Sequence, residues 1–538
     1  MERILSIRGA SAAMLVGALA VACGTKTTGP YEFGAVSGPG GGTSSGSSSG
    51  GNVGSLGNGS SSGGSSGGAG PTVVGPAGLT CNVSCPAGGT TQITGKVYDP
   101  AGKDPLYNVA VYVPASALSP LPKGVPTGAD ACSCNALFKS GAVVSTATGI
   151  DGTFTLNDVP VGPSVPLVLQ VGKWRRSLRV DVTACAPNLQ PDKSLTLPST
   201  VAAGDTDDNM PDIAVSTGSA DSLECLMRRI GLPTSEYVAG SGTGGHVHVF
   251  SGGQTLLSNG SLSIPGPGGL AEMPSMAGAP ASPTALWANQ GQLMPYDVTL
   301  LSCEGQETYE ANPPALEAYL NAGGRVFASH FHYAWFAGPL GTGQAYAAPA
   351  DWGTHLASWT VDVGNDNDGV IGGAIDTTLN GSGGAFAKGV ALQQWLEGVG
   401  GLGQSVPAGE VSIYQPRFNA TVGPGNPASQ PWITADSASG AAGRTMYFSF
   451  DTPVSLIPPT SGSDQGSGTA YCGRAVFSDL HVAGNPSTTD SPPPPGGCAD
   501  SDLSPQEKAL EFMLFDLSGC VIPDTVPPSD AGVPVPVQ

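Results

Sequence analysis

Histidine is the residue type in this sequence whose spacing most clearly points to chemistry. All six histidines lie after residue 211, at His246, His248, His330, His332, His355 and His481. Imidazole is a preferred ligand of zinc, copper, iron and nickel, and two or three imidazoles with one carboxylate can hold one ion. His330 and His332 follow one predicted strand, and His481 follows another. The sequence therefore predicts a site for zinc or another divalent metal at His330, His332 and His481, with Asp479 or Glu304 as a carboxylate ligand.

A structural role is the alternative for the same histidines. Phe331, Tyr333, Trp335 and Phe336 stand beside them in the chain, which is typical of a packed aromatic wall whose histidines bond to backbone groups. A bound zinc ion would instead activate a water molecule for hydrolysis. Histidines that converge in an open pocket would favour such an enzyme, whereas scattered histidines would favour a binding protein.

The cysteines indicate a disulfide framework. The chain has 11 cysteines. Setting Cys23 aside leaves an even number, and an even number of cysteines in an exported chain usually forms disulfides. Cys498 and Cys520 flank the last predicted helix, and we predict that they pair, closing a loop of about 23 residues that contributes about 3 kcal/mol in the chain-entropy model. Zinc ligation by the two closely spaced pairs before residue 140 is the alternative.

Composition limits the classes of partner. The chain has 538 residues, 41 acidic and 20 basic side chains, and a formal net charge of -21. Nucleic-acid binding needs clustered Lys and Arg that displace counterions from phosphates, so this balance argues against a nucleic-acid partner. Beyond the N-terminus, no apolar stretch reaches the length of about 18 residues that a membrane-spanning helix requires.

The first 22 residues have the pattern of an export signal. Arg3 and Arg8 give a positive start, and an apolar run too short to span a bilayer follows. The sequence LAVAC at residues 19–23 resembles the lipobox of bacterial lipoproteins. This resemblance implies that residues 1–22 are removed, that Cys23 is lipidated, and that the protein reaches the outer membrane, facing the periplasm or the cell surface. Ordinary signal cleavage, with Cys23 as a plain thiol, is the alternative.

Residues 23–78 are predicted to be a flexible linker. Most of this segment consists of Gly and Ser, as in GGGTSSGSSSGG at residues 40–51. Such a composition offers too little apolar surface to offset the entropy lost on ordering, so we expect a disordered spacer that holds the folded part away from the membrane.

Residues 79–200, the first unit, contain seven short β-rich runs separated by turn residues, which indicates an antiparallel β-sandwich. The segments GKVYD at 95–99, TGIDGTFTL at 148–156 and VPVG at 159–162 resemble the carboxypeptidase regulatory-like (transthyretin-like) domain. That resemblance implies a carbohydrate-binding-like fold with a stabilising or adhesive role and no catalytic residues. Asp151-Gly152 suits a tight turn, after which Phe154 and Leu156 should point to one face of the next strand.

A basic and aromatic segment stands out in this acidic chain. It reads Lys173-Trp174-Arg175-Arg176. One interpretation is a contact for an anionic sugar or for the second unit, with the indole as a stacking face. The other is a half-buried tryptophan at a strand end, flanked by solvated arginines.

After an acidic linker at residues 201–210, the second unit at 211–523 alternates strands and helices, which indicates an α/β unit with a covered, mainly parallel sheet. The segments YDVTLLS at 296–302, AYLNAGGRVFASHFH at 318–332 and CGRAVFSDLHVAG at 472–484 resemble the class I glutamine-amidotransferase-like fold in its trehalose-utilisation (ThuA-like) branch. The Pro-rich residues 524–538 are predicted to be a disordered tail.

The amidotransferase nucleophile is absent from its expected place. That chemistry needs a cysteine on a strained turn after its strand, between small residues. Here the turn reads Ala328-Ser329-His330-Phe331-His332, without a cysteine and with bulky neighbours. A triad of Ser329, His481 and Asp479 can be drawn, but Ser329 has the same bulky neighbours.

The acidic segment at residues 362–368 does not fit an EF-hand. With Gly369 at the invariant glycine place, Gly364 would stand at the first ligand place and Ile375 at the last. A polar turn explains the segment better than calcium binding does.

Together these features predict a multidomain envelope lipoprotein with a binding or structural role and no assured cofactor. Carbohydrate is the favoured ligand class because both resemblances point to it, and the membrane is a partner through the lipid. The alternative is a metal-assisted hydrolase or sugar-modifying enzyme that uses the histidines of the second unit.

Overall fold

The computed structural model describes residues 73–74, 79–218, 220–252, 255–256, 262–263, 275–341, 345–361, 369–436, 442–454, 471–482, 490, 493–522 and 524. The predicted signal peptide, the lipidation site Cys23, almost all of the linker, the acidic segment at 362–368 and most of the tail lie outside these residues. Among the described helices, none is long and apolar enough to cross a membrane.

The described chain is mostly β-sheet, arranged in several sheets, with few helices. Its strands are β1 Val73–Val74, β2 Thr80–Cys81, β3 Gln92–Tyr98, β4 Ala110–Pro114, β5 Ala142–Ala147, β6 Thr153–Asn157, β7 Gly162–Val171, β8 Trp174–Val182, β9 Leu195–Thr196, β10 Ile213–Thr217, β11 Tyr237–Ala239, β12 Val247–Ser251, β13 Thr255–Leu256, β14 Leu262–Ser263, β15 Val298–Leu301, β16 Arg325–Ser329, β17 Ser358–Trp359, β18 Val370–Ile375, β19 Glu410–Tyr414, β20 Ala420–Thr421, β21 Ser429–Ala435, β22 Thr445–Thr452 and β23 Gly473–Ser478. The α-helices are α1 Leu223–Arg229, α2 Ser282–Ala285, α3 Gln290–Leu293, α4 Pro313–Asn321, α5 Ala334–Ala337, α6 Ala387–Gly398 and α7 Pro505–Ser518.

The first unit has two main sheets. One contains three strands in the order β6-β3-β9, and the other contains four antiparallel strands in the order β5-β4-β7-β8. Each of the seven predicted runs overlaps one of these strands. The predicted turn is confirmed: Gly152 has φ 77°, and Phe154 and Leu156 are buried while Thr153, Thr155 and Asn157 are exposed.

The second unit is organised around a ten-stranded mixed sheet in the order β11-β12-β10-β15-β16-β23-β22-β21-β18-β19. The pairs from β11 to β23 are parallel, and those from β23 to β19 are antiparallel. The parallel part is therefore only about half of the sheet. Helix α7 begins at Pro505, and Ser504 and Glu507 form a capping box at its start.

The two units share one hydrophobic core. Trp174 is fully buried and its ring lies 5.7 Å from that of Phe515. Lys173 Nζ donates to Asp297 Oδ1 at 2.5 Å, and Arg175, also buried, donates to carbonyl oxygens of the acidic linker. The basic segment is thus a contact with the second unit, and the interpretation of Arg175 as solvated is wrong.

Within the described ranges, four disulfides have both partners described, and they join Cys85 to Cys185, Cys132 to Cys472, Cys134 to Cys520 and Cys225 to Cys498. The predicted bond between Cys498 and Cys520 is therefore wrong. Cys498 instead pairs with Cys225 of α1, and Cys520 pairs with Cys134 of the first unit. These partners are distant in the chain, and the local spacing of the cysteines does not encode them. Two of the four bonds connect the units covalently.

Candidate functional site

A group of donor side chains forms where three neighbouring parallel strands end. Cys303 follows β15, His330 follows β16 and His481 follows β23. Strand β16 pairs in parallel with both β15 and β23, so the carboxyl ends of all three strands meet at one edge. This edge is where ligands gather in open α/β sheets.

The three side chains approach within coordinating distance of one ion. Cys303 Sγ lies 3.2 Å from His330 Nδ1, and the rings of His330 and His481 are 5.1 Å apart between centroids. One ligand atom from each residue lies within 4.8 Å of the others. The exposed fractions of Cys303, His330 and His481 are 0%, 2% and 1%, so the group is closed to solvent.

The backbone at His330 directs its ring toward Cys303. His330 has φ 45°, a left-handed conformation that a residue other than glycine adopts at a cost. Ser329 supports this arrangement, since its Oγ accepts a hydrogen bond from the Cys303 backbone N–H at 2.9 Å. The chain therefore makes a strained turn directly after β16, and His330 is the residue with the positive φ in that turn.

His481 is the most unusual member of the group. Neither ring nitrogen has a hydrogen-bond partner among the described residues, although the side chain is buried. An unsatisfied buried polar group costs about 1–3 kcal/mol. Burial, reinforced by the positive charge of Arg417, lowers the pKa of His481 to about 3, so the imidazole is neutral and offers nitrogen lone pairs.

Cys303 is a protonated thiol. Burial is the main reason that its pKa is raised to about 12, although backbone N–H groups of Phe331 and Gly305 oppose the shift. Cys303 is also a free thiol. A nucleophilic cysteine needs a lowered pKa and access to substrate, so Cys303 in this state is inert toward acyl groups.

His332, a predicted ligand, lies outside the group. Its Nε2 is 2.8 Å from Ser302 O and its Nδ1 is 2.6 Å from Thr308 Oγ1, so both ring nitrogens are already used. Burial lowers the pKa of His332 to about 4. The interpretation as a packed aromatic wall therefore describes His332, and Cys303 takes its place in the cluster.

The remaining histidines lie elsewhere. His246 contacts Glu236 at 2.6 Å, and His248 contacts Gly240 O at 2.9 Å; both stand at the opposite end of β12 from the carboxyl edge. His355 lies 3.2 Å from Trp352 O. These three histidines have local structural partners.

The drawn triad of Ser329, His481 and Asp479 is not assembled. Ser329 Oγ bonds to the Cys303 backbone and to Leu301 O, and Asp479 Oδ2 accepts from the Asn419 backbone at 2.9 Å. Because the His481 ring has no hydrogen-bond partner among the described residues, it neither receives a proton from Ser329 nor is oriented by Asp479.

Neighbouring loops close the site. The Ala220 N–H donates to Cys303 O at 3.0 Å, and a Cβ added to Gly218 would lie 2.0 Å from the same oxygen. Behind this contact, buried Glu224 accepts from Ser302 Oγ at 3.3 Å, and burial raises the pKa of Glu224 to about 8. Residues 302–304, which directly follow β15, are all buried.

Sequence reasoning missed Cys303 because the even cysteine count placed it in the disulfide framework. A usable signal was present: Cys303 directly follows a predicted strand, as His330 and His481 do. Chemically, the group offers one thiol and two imidazoles at a dry edge, which is a ligand set for a metal rather than a proton-transfer chain. Comparison with known proteins found no matching family model, no matching curated protein and no matching solved structure.

Proposed function

We propose that this chain is an outer-membrane lipoprotein with a binding or structural role, and that the alternative of a metal-assisted hydrolase is less well supported. Lipid at Cys23 would anchor the chain, and the Gly/Ser-rich residues would hold the folded units away from the bilayer. Carbohydrate is the favoured ligand class, and it rests on the two family resemblances.

The sheets support both proposed resemblances. The three-stranded and four-stranded sheets of the first unit fit a transthyretin-like sandwich of the carboxypeptidase regulatory-like kind. In the second unit, the five parallel strand pairs and the strained turn after β16 fit an amidotransferase-like sheet whose nucleophile has been replaced by His330.

The closed carboxyl edge is the observation that carries the proposal. A hydrolytic metal site keeps an open position for water and substrate, whereas Cys303, His330 and His481 are at most 2% exposed. The shared core and the two disulfides between the units hold the units rigidly together. A rigid pair of units suits a binding protein better than an enzyme whose active site must open to admit substrate.

The test is a sedimentation assay with the full chain in mild detergent, using purified peptidoglycan sacculi as the carbohydrate probe. We expect the chain to pellet with sacculi, and we expect p-nitrophenyl acetate and p-nitrophenyl glucoside to be hydrolysed no faster than without protein. Hydrolysis by the wild-type chain that disappears in Cys303→Ala or His481→Gln would support the hydrolase instead. A chain that stays in the supernatant would remove peptidoglycan as the ligand.

A further inference from the structure

We propose that Cys303, His330 and His481 form a closed binding site for one thiophilic divalent ion, Zn²⁺ or Cu²⁺. The proposal deepens the binding role above by naming an ion that the second unit holds. It does not depend on lipid anchoring or on carbohydrate.

The unpartnered imidazole of His481 is the first argument. Buried polar groups in folded proteins are almost always paired, yet neither nitrogen of His481 has a hydrogen-bond partner among the described residues. The histidines outside the group with buried or half-buried rings, His246, His248 and His332, all have polar partners close to a ring nitrogen. A metal bond from His481 would satisfy the group that hydrogen bonds leave unsatisfied.

The spacing of the donor atoms is the second argument. Zinc binds sulfur at about 2.3 Å and imidazole nitrogen at about 2.0–2.1 Å in a tetrahedron, which places neighbouring ligand atoms about 3.3–3.6 Å apart. Cys303 Sγ and His330 Nδ1 already lie 3.2 Å apart. All three ligand atoms lie within 4.8 Å of one another, so the group supplies three of the four ligands of a tetrahedral site.

The donor types select the class of ion. A thiolate and two imidazoles suit zinc and copper, whereas magnesium and calcium require oxygen ligands. Binding replaces the Sγ–H bond of Cys303 with an Sγ–metal bond, and the proton leaves to solvent.

Burial determines how the ion enters. Cys303, His330 and His481 follow three separate strands. The Ala220 N–H donates to Cys303 O, and the Asn419 N–H donates to Asp479, two residues before His481. Since the three side chains are at most 2% exposed, the ion is acquired while the sheet folds and is released slowly from the native chain. The bound ion would thus link the carboxyl ends of β15, β16 and β23.

Metal analysis of the untagged full chain, purified in detergent without chelator, tests this inference. We expect about one zinc or copper ion per chain. Cys303→Ala and His481→Gln should each lower the bound metal by about tenfold or more. His332→Gln is the matched control, because His332 is equally buried and only two residues from His330; it should retain the ion.

A second measurement uses the wild-type chain alone, in case a buried variant does not fold. The protein is refolded with Co²⁺ and its thiolate-to-cobalt charge-transfer absorption is recorded, with Mg²⁺ as the negative control. Cys303 should also react more slowly with iodoacetamide in partial denaturant when metal is present than after chelator treatment. We expect both the cobalt charge-transfer absorption and the slower alkylation of Cys303 in the same metal-loaded sample.

The inference is overturned if the wild-type chain carries neither zinc nor copper and refolding with either ion leaves Cys303 equally reactive. Equal metal loss in Cys303→Ala, His481→Gln and His332→Gln would also overturn it. Missing metal in a chain that still pellets with sacculi would leave the proposed binding role intact. Retained metal in a chain that does not pellet would count against the carbohydrate ligand alone.

Discussion

Lys173 of the first unit and Asp297 of the second form a buried ion pair, with Nζ 2.5 Å from Oδ1. Their side chains are 8% and 12% exposed. Lys173 Nζ also donates to the carbonyl oxygens of Pro122 and Gly124, so the ammonium group is fully hydrogen-bonded. Burial raises the pKa of Asp297, although the charge of Lys173 opposes that shift. The pair joins the basic segment to the loop that precedes β15.

Lys173→Met should therefore destabilise the chain strongly. Removing one partner of a buried pair leaves an uncompensated charge and typically costs about 3–5 kcal/mol. Urea unfolding followed by tryptophan fluorescence measures the loss. Arg179→Met on β8, the strand that follows Lys173, is the control. Arg179 is exposed, and its variant should stay within about 0.5 kcal/mol of wild type. Equal midpoints for the two variants would contradict the role of the pair.

The disulfide pattern gives a direct chemical prediction. Mass spectrometry of a non-reduced digest should show peptides joined through Cys134–Cys520 and Cys225–Cys498. Cys303 should be alkylated only after denaturation, because its thiol is buried and protonated. A peptide joined through Cys498–Cys520 would restore the pairing that the sequence alone suggested.

A buried carboxylate cluster between the units predicts a pH dependence. Asp99 lies near Asp104, Glu511 and Lys508. Burial raises the pKa of Asp99 to about 7, and burial together with the neighbouring acids raises that of Glu511. A raised folded-state pKa contributes stability that is fully present below the unfolded-state value of about 3.9. That contribution is lost as pH rises through about 7.

As pH rises from about 4 to about 8, the free energy of unfolding should therefore fall less in Asp99→Asn than in the wild type. The two slopes should differ by up to about 1.4 kcal/mol per pH unit. Urea unfolding across this range measures the two curves. Asp158→Asn, at an exposed position, should run parallel to wild type. If the Asp99→Asn curve also runs parallel, the carboxyl does not titrate as its burial implies.

Anchoring through Cys23 is a prediction from sequence. Cys23→Ser should move the protein from the membrane fraction to the soluble envelope fraction, because acyl chains can no longer be attached. Metabolic labelling with a radioactive fatty acid should mark the wild type and leave the variant unmarked. Membrane retention of an unlabelled variant would mean that another contact holds the chain at the membrane.

Local features of the fold were predictable because their causes are local. The turn at Gly152 depends on a few adjacent residues, and the structure has it where the sequence places it. The cap of α7 at Ser504 and Pro505 is equally local. The alternation of Phe154 and Leu156 likewise fixes one buried face. The period of a strand and the chemistry of a cap are read from neighbours in the chain.

Long-range pairing was decided only by tertiary structure. Cys134 reaches Cys520 across 386 residues, and no local pattern encodes that choice. For the same reason, sequence placed His330 and His481 at one sheet edge but selected His332 instead of Cys303. Which donors meet depends on the order of β15, β16 and β23 in the sheet and on the positive φ at His330, because strand order brings distant segments together and the turn directs each side chain.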